Sequence, residues 1–476
     1  MALEAPPQAN DEKRLQRLGY TQELRRTLGF FASFGIAFCY VSPVVGVYTL
    51  FGYGLATGGP AFVWGLPLVV GGQLLVVLVF SEVAASYPLA GALYQWARRL
   101  VGPRYGWFVG WIYGWALIVT IAAVDFGAAP YLASLLGLEP RRTTLVLLAA
   151  GLLAAHSAFN YAGVRGTTLV TSAGVAVEVI ATVAIAGAIF ATGVHHPWSV
   201  LLTTEPAGSP YLPAFLASTL AMAWIFYGFE SAADVAEEVV DPARHVPRAM
   251  IASLLGAGLV TVVVVVALIL GARDLGAAAA DPARTIPLIL GEHFGAAGSA
   301  LLLLLIVFAY FSCAAAVQTA AARLVYSYAR DGGLPGASWL RRISPGRRVP
   351  ANAILFTALV GLLATAATYV EVAAVNANAL LVSYAVVGIY LSFQAVVLAR
   401  LIAGVRGWRP DGGFSLGAWG KPVALAALAY GLAMIVNLCW PRPADAVAGW
   451  LTLAAALLIL VPGALLARRW SAPAVE

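Results

Sequence analysis

The chain has 476 residues, 61% of them hydrophobic and 11% charged, with a mean hydropathy of +0.86. A water-soluble domain carries about 25% charged residues, so the composition excludes one and indicates a multi-pass membrane protein. The formal net charge of +6 invites a nucleic-acid reading, which the placement of the charges removes.

A helix crosses the roughly 30 Å hydrocarbon core with about 20 apolar residues. Twelve stretches qualify: 28–56, 61–86, 104–136, 143–160, 166–192, 212–236, 249–272, 297–328, 350–370, 372–400, 420–440 and 447–467. The fourth is short, and the first and sixth are interrupted. The expected fold is all-α and integral to the membrane, with an N-terminal segment (1–27), five spans (28–192), five more (212–400), two final spans (420–467) and a short tail (468–476). The N-terminal segment is charged and lacks an apolar core, so it is not expected to be a cleaved signal.

With the N-terminus inside, 23 of the 28 Lys and Arg fall on the inner side; only Arg141, Arg142, Arg273, Arg284 and Arg442 fall outside. The positive-inside rule then sets both termini in the cytoplasm of a cell (inner) membrane. The basic charge is topological. Ile286 to Phe294, in an outer loop, is expected to form a short interfacial helix. Cys39, Cys313 and Cys439 are too few and too scattered for a disulfide frame or a zinc site.

The two interruptions carry most of the functional information. Span 1 is broken at Val41-Ser42-Pro43-Val44-Val45-Gly46, and span 6 at Phe226-Tyr227-Gly228-Phe229-Glu230-Ser231. Non-helical backbone at membrane depth is tolerated only where protein or a water-filled cavity satisfies it. Paired breaks opening two halves point to the substrate site of a secondary transporter. Pro43 has no N–H and suits the first position of a new half-helix. The N–H groups of Val44, Val45 and Gly46 are then expected to point unpaired into a cavity, where a half-helix N-terminus favours an anion such as a substrate carboxylate. The alternative is a proline kink in a packed helix.

At the second break Gly228 permits unusual backbone angles, and exposed carbonyls are expected to accept from a substrate ammonium. Trp224, Phe226, Tyr227 and Phe229 are large enough to cap the pocket, a cation lying over a ring face; Phe226 and Tyr227 lie closest to the break. Core or lipid-facing packing is the alternative for each. Glu230 is ionisable near the midplane; it either pairs with the substrate amine or holds the unwound backbone, the second role being favoured.

Local motifs add a resemblance. They are Phe51-Gly52-Tyr53-Gly54-Leu55 with Gly58-Gly59-Pro60; Ser81-Glu82-Val83-Ala84-Ala85-Ser86-Tyr87-Pro88; Asn160-Tyr161-Ala162-Gly163-Val164-Arg165; Gly228-Phe229-Glu230 with Glu237-Glu238; Ser327-Tyr328-Ala329-Arg330-Asp331-Gly332-Gly333; and Gly420-Lys421-Pro422. In this order the chain resembles the amino acid–polyamine–organocation (APC) superfamily of permeases, and within it the amino acid/choline transporter group that includes the fungal GABA permease. The resemblance implies a leucine-transporter-like fold, a five-plus-five inverted repeat followed by two helices, and alternating access.

Buried carboxylates are the candidates for ion coupling. An isolated carboxylate in apolar surroundings neutralises by taking a proton. Glu178 lies mid-span in a small-residue helix and is read as a proton site, as a cation ligand, or as a structural hydrogen-bonding residue packed on span 1 or 8. Several APC relatives carry Lys there, so the resemblance gives no built-in cation at this position. Asp125 is expected near the outer end of span 3, facing the vestibule, and Glu82 is expected to pair with an inner Arg. Glu237, Glu238, Arg244, Arg248, Arg330 and Asp331 mix signs on the inner side, either as a gate network or as a solvated loop. The five His (His156, His195, His196, His245, His293) are read as lying at loops or span ends with no motif joining them.

The expected function is a secondary-active permease for an amino acid or related amine, with H+ as coupling ion and Na+ as the alternative, no cofactor, and a monomeric or homodimeric state. Transport of choline, ethanolamine or polyamine is the alternative within the class, and a transporter-like nutrient sensor the alternative outside it. An enzyme is not expected, because no catalytic cluster is present, and neither is a primary pump, because there is no Gly-rich ATP-binding motif.

Overall fold

The computed structural model describes residues 7–207, 210–282, 284–369, 377–442 and 446–470. Its helices, in chain order, are α1 (Pro7–Arg17), α2 (Phe30–Val41), α3 (Pro43–Gly58), α4 (Gly65–Ser86), α5 (Ala92–Leu100), α6 (Pro103–Leu135), α7 (Arg142–Ala162), α8 (Val164–Thr192) and α9 (Tyr211–Ile225). There follow α10 (Ser231–Asp234), α11 (Pro242–Gly271), α12 (Leu275–Ala280), α13 (Thr285–Arg330), α14 (Ala337–Leu340), α15 (Ala351–Ala367), α16 (Ala377–Val405), α17 (Gly420–Cys439) and α18 (Ala446–Arg469). Among the described residues ten helical segments are long and apolar enough to cross a membrane, and the two shorter apolar helices α9 and α15 bring the number to the expected twelve.

Some boundaries differ from the expectation. The fourth span is a full 21-residue helix, Arg142–Ala162, because Arg142 sits inside its first turn. The eighth is continuous with the expected outer interfacial helix: the chain turns at Gly295, whose φ of 61° only Gly adopts without strain, and continues to Arg330. Residues 372–376 of the tenth span, residues 1–6 of the N-terminal segment and residues 471–476 of the tail lie outside the described residues.

The core is built on α6, which packs against α13 and α16, while α4 packs on α11, α3 on α9, and α2 on both α11 and α8. Leu432, Val436 and Leu458 on α17 and α18 are exposed, as lipid-facing side chains must be. The N-terminal segment lies across one end of the bundle. The N–H groups of Thr27 and Leu28 donate to the Glu238 carbonyl, both at 2.9 Å, and Val240 N–H donates to the Leu28 carbonyl at 2.8 Å.

Candidate substrate site

Ser42 makes the first break. Its φ of 38° and ψ of 87° end α2, and Pro43 opens α3 at the position where a missing N–H costs nothing. Val45 N–H donates to Ser42 Oγ at 3.3 Å and Gly46 N–H to the Ser42 carbonyl at 3.0 Å. Glu178, fully buried on α8, takes the rest: Ser42 Oγ–H donates to its Oε1 at 3.0 Å and Val44 N–H to its Oε2 at 3.3 Å. The N–H groups of Val44, Val45 and Gly46 are therefore partnered, contrary to expectation. Buried donors find acceptors, and the positive end of the half-helix has drawn in a carboxylate from the protein itself.

The second break begins where α9 ends at Ile225. Gly228 adopts a φ of 108°, and a Cβ there would come within 2.6 Å of the Tyr40 ring. Glu230 curls back on the unwound chain: Gly228 N–H donates to its Oε2 at 2.9 Å. The Tyr113 hydroxyl of α6 lies 3.1 Å from Glu230 Oε1 and 2.8 Å from Asp234 Oδ2. The Gly228 carbonyl is taken by Ser231, whose N–H and Oγ–H both donate to it, at 3.1 and 2.7 Å. Glu230 thus makes the backbone-holding contacts that its sequence context favoured.

The two breaks face one another. Gly46 allows this, because a Cβ at its position would lie 3.0 Å from Ile225 Cβ and 3.1 Å from Ile225 Cα. Between them is a cavity of about 10 Å³ lined by Tyr40, Val41, Val45, Gly46, Thr120, Val124, Trp224, Tyr227 and Cys313. That is room for about one water, so a solute enters only if the half-helices separate. Phe226 is buried away from this lining, and Phe229 packs on Phe80 and Phe393, with ring centroids 6.2 and 5.4 Å away. Tyr40, Thr120, Val124 and Cys313 were not expected at the cavity from the sequence. Only Tyr40, immediately before the first break, carried a local signal.

The other candidate carboxylates, Asp125, Glu82, Glu237, Glu238 and Asp331, are engaged. Asp125 does not face a vestibule; it is buried, with Oδ2 at 3.1 Å from His156 Nε2. His156 likewise lies inside α7 rather than at a span end, because Asp125 and Gln318 supply its polar partners. Glu82 pairs with Arg400 at 2.9 Å. The acidic motif after the second break is a buried network rather than a solvated loop: Glu238 with Arg323 at 2.8 Å, Glu237 with Arg330 at 2.8 Å, and Asp331 with Arg98. The network seals the end of the bundle where the N-terminal segment lies. Toward the opposite end, Tyr310 OH sits 2.8 Å from Thr49 Oγ1 and Tyr131 OH donates to the Tyr48 carbonyl at 2.8 Å. Among the described residues no three His, Cys, Asp or Glu are grouped to hold a metal ion.

Known proteins match this sequence over most of its length. Residues 28–462 match the amino acid permease family. The amino-acid permease BAT1 of Arabidopsis thaliana is 26% identical, over 89% of this chain and 87% of that protein. The GABA-specific permease of Saccharomyces cerevisiae is also 26% identical, over 92% of this chain and 80% of its own length. An uncharacterized amino-acid permease of Schizosaccharomyces pombe is 27% identical, over 91% and 80%. With its interrupted first and sixth spans and a family match running through nearly all its length, the chain belongs to the amino acid permease family of the APC superfamily and is a multi-pass membrane transporter of amino acids.

Proposed function

We propose that the protein imports an amino acid or a related amine by alternating access, driven by protons, across the cell (inner) membrane with both termini in the cytoplasm. The observation that carries this reading is the pair of breaks meeting across one cavity, with a carboxylate already seated on the N-terminus of α3. A substrate carboxylate suits the same donors. Its ammonium suits the polar backbone of residues 226–231, with Tyr227 and Trp224 as walls.

Competition for one anion site supplies the coupling. When the substrate carboxylate takes the Ser42 and Val44 donors, Glu178 is displaced into apolar surroundings without a counter-charge. An uncompensated buried carboxylate is neutralised by a proton, so substrate and proton are taken up together. Asp125 is the second acid available for this task. The Glu237–Arg330 and Glu238–Arg323 pairs serve as the cytoplasmic gate, opening when the half-helices swing apart.

The reading is tested by counterflow in proteoliposomes loaded with unlabelled solute, using radiolabelled amino acids, GABA, choline and putrescine. Counterflow of a carboxylate-bearing amine is the expected result. Counterflow of choline or putrescine alone would refute the carboxylate cradle, and binding without flux would assign the protein to sensing.

A further inference from the structure

Behind the cavity wall α6, α7, α8 and α13 share a closed hydrogen-bond network. Its donors and acceptors follow from one backbone carbonyl. The Ala315 carbonyl only accepts, so the Asn160 atom 3.0 Å from it is the amide Nδ2. The second Nδ2 hydrogen goes to Gln318 Oε1 at 2.9 Å, Asn160 Oδ1 receives the Thr167 hydroxyl at 3.0 Å, and the Thr319 hydroxyl is shared between Asn160 Oδ1 at 2.9 Å and the Ala315 carbonyl at 2.8 Å. Gln318 Oε1 is thereby an acceptor, and Gln318 Nε2 donates to Ser157 Oγ at 2.7 Å. His156 Nδ1 lies 3.0 Å from that same Oε1 and must carry a hydrogen.

His156 Nε2 then faces Asp125 Oδ2 at 3.1 Å, the two side chains being 0% and 1% exposed. With Nδ1 already protonated, a hydrogen bond here needs one further proton. It resides either on Nε2, as an imidazolium beside a carboxylate, or on Oδ2, as a carboxylic acid beside an imidazole. Both forms leave the pair neutral overall. Removing the proton sets two lone pairs against each other and strands a negative charge in the interior, which is strongly unfavourable.

We propose that Asp125 and His156 form a proton-binding site that holds one proton between Nε2 and Oδ2, and that release of this proton unfastens α7 from α6 behind the substrate cavity. The site deepens the proton-coupled reading, and its link to transport rests on that reading. Val124, next to Asp125, and Thr120, five residues before it, line the cavity, as does Cys313, five residues before Gln318 on α13. The state of the pair is thus one side chain removed from the substrate.

Among the described residues, the surroundings leave no competing charge on the pair. From α13, the Cys313 thiol is within electrostatic reach of Asp125, while Arg323 and Arg330 are engaged by Glu238 and Glu237. On α6 itself Tyr113 is held by Glu230 and Asp234, and Tyr131 by the Tyr48 carbonyl. On α8, Glu178 is turned to Ser42 and Val44. On α16, Tyr390 bonds Tyr430 and Arg400 bonds Glu82. α15 carries no titratable side chain.

The test uses the full-length protein, labelled with 15N-histidine and reconstituted in lipid bilayers, with solid-state NMR recorded across a pH series. His156→Gln identifies the His156 signals by their loss. The expected wild-type result is a His156 Nδ1 that stays protonated throughout and an Nε2 signal that changes once. Asp125→Asn, whose amide donates to Nε2 at every pH, is expected to keep Nδ1–H and abolish that change. A bare Nδ1 in the wild type, or a His156 titration unaltered by Asp125→Asn, would overturn the proposal, and the wild-type tautomer decides it even where the variant misfolds. Proton-driven uptake in the same bilayers separates the two readings. A wild type with the expected NMR behaviour but no such uptake loses proton coupling and keeps the site. Wild-type uptake whose pH profile Asp125→Asn leaves unchanged removes the site's link to transport.

Discussion

Ser42 and Glu178, 136 positions apart in the chain, meet at 3.0 Å inside the membrane. The hydroxyl that ends one half-helix thus fixes the carboxylate that neutralises the start of the next. Glu178→Gln keeps the shape and removes both the charge and the exchangeable proton. The expected outcome is loss of proton-driven accumulation with substrate exchange retained, measured as uptake against counterflow in the same liposomes. Accumulation at the wild-type level would remove Glu178 from coupling.

Ser42→Ala deletes the bond to Glu178 and the cap on Val45 N–H together. Loss of an N-cap costs about 1 kcal/mol, and the freed Glu178 adds to it. A lower melting temperature with weakened substrate affinity is expected in detergent-solubilised protein. Unchanged values for both would mean that the break is held by other groups.

Gly46 permits the contact between the two half-helices. Gly46→Ala forces its Cβ onto Ile225, and overpacking of this kind costs about 1–3 kcal/mol. Affinity is expected to fall in Gly46→Ala and to recover in part when Ile225→Ala is added. Absence of recovery in the double variant would contradict close packing as the reason for Gly.

Glu230 separates two roles for a midplane acid. Its oxygens are engaged by Gly228 N–H and Tyr113 OH. In Glu230→Gln the amide oxygen can keep Gly228 N–H while the amide nitrogen donates to the Tyr113 oxygen. Substrate affinity within a few-fold of wild type is therefore expected, with loss in Glu230→Leu, which leaves a buried N–H unpaired at about 1–3 kcal/mol. Abolition of binding by Gln would show that the substrate amine needs the charge.

Much of the architecture was legible in the sequence. Apolar length gave twelve spans, and Ser42-Pro43 and Gly228 marked the breaks, because Pro and Gly act through local backbone geometry. That Glu82 pairs with an inner Arg follows from the placement of charges at span ends, but that the partner is Arg400 does not. The residues facing the cavity from α6 and α13 were not legible. In a helix apolar on every side, periodicity does not tell the face toward Thr120, Val124 or Cys313 from the face toward lipid. Asp125 and His156, 31 positions apart, meet only because α6 and α7 pack side by side, and nothing local to either residue announces the other. The partnering of the α3 donors by Glu178 was hidden for the same reason.

Arg323 and Glu238 form the most buried pair of the proposed gate, 2% and 0% exposed. Removing one partner of a buried pair costs about 3–5 kcal/mol, since it strands the other charge. Arg323→Ala is expected to shift the protein toward the state open at the N-terminal side, read as faster labelling of a cysteine placed at Ser327. Labelling at the wild-type rate would show that Glu237, Arg330 and the N-terminal segment suffice to keep that end closed.

The most direct test of the account is accumulation of a zwitterionic amino acid by purified wild-type protein in liposomes, under an inward proton gradient without sodium. The account predicts uptake above equilibrium that collapses with a protonophore. Uptake that follows a sodium gradient and ignores the proton gradient would contradict it.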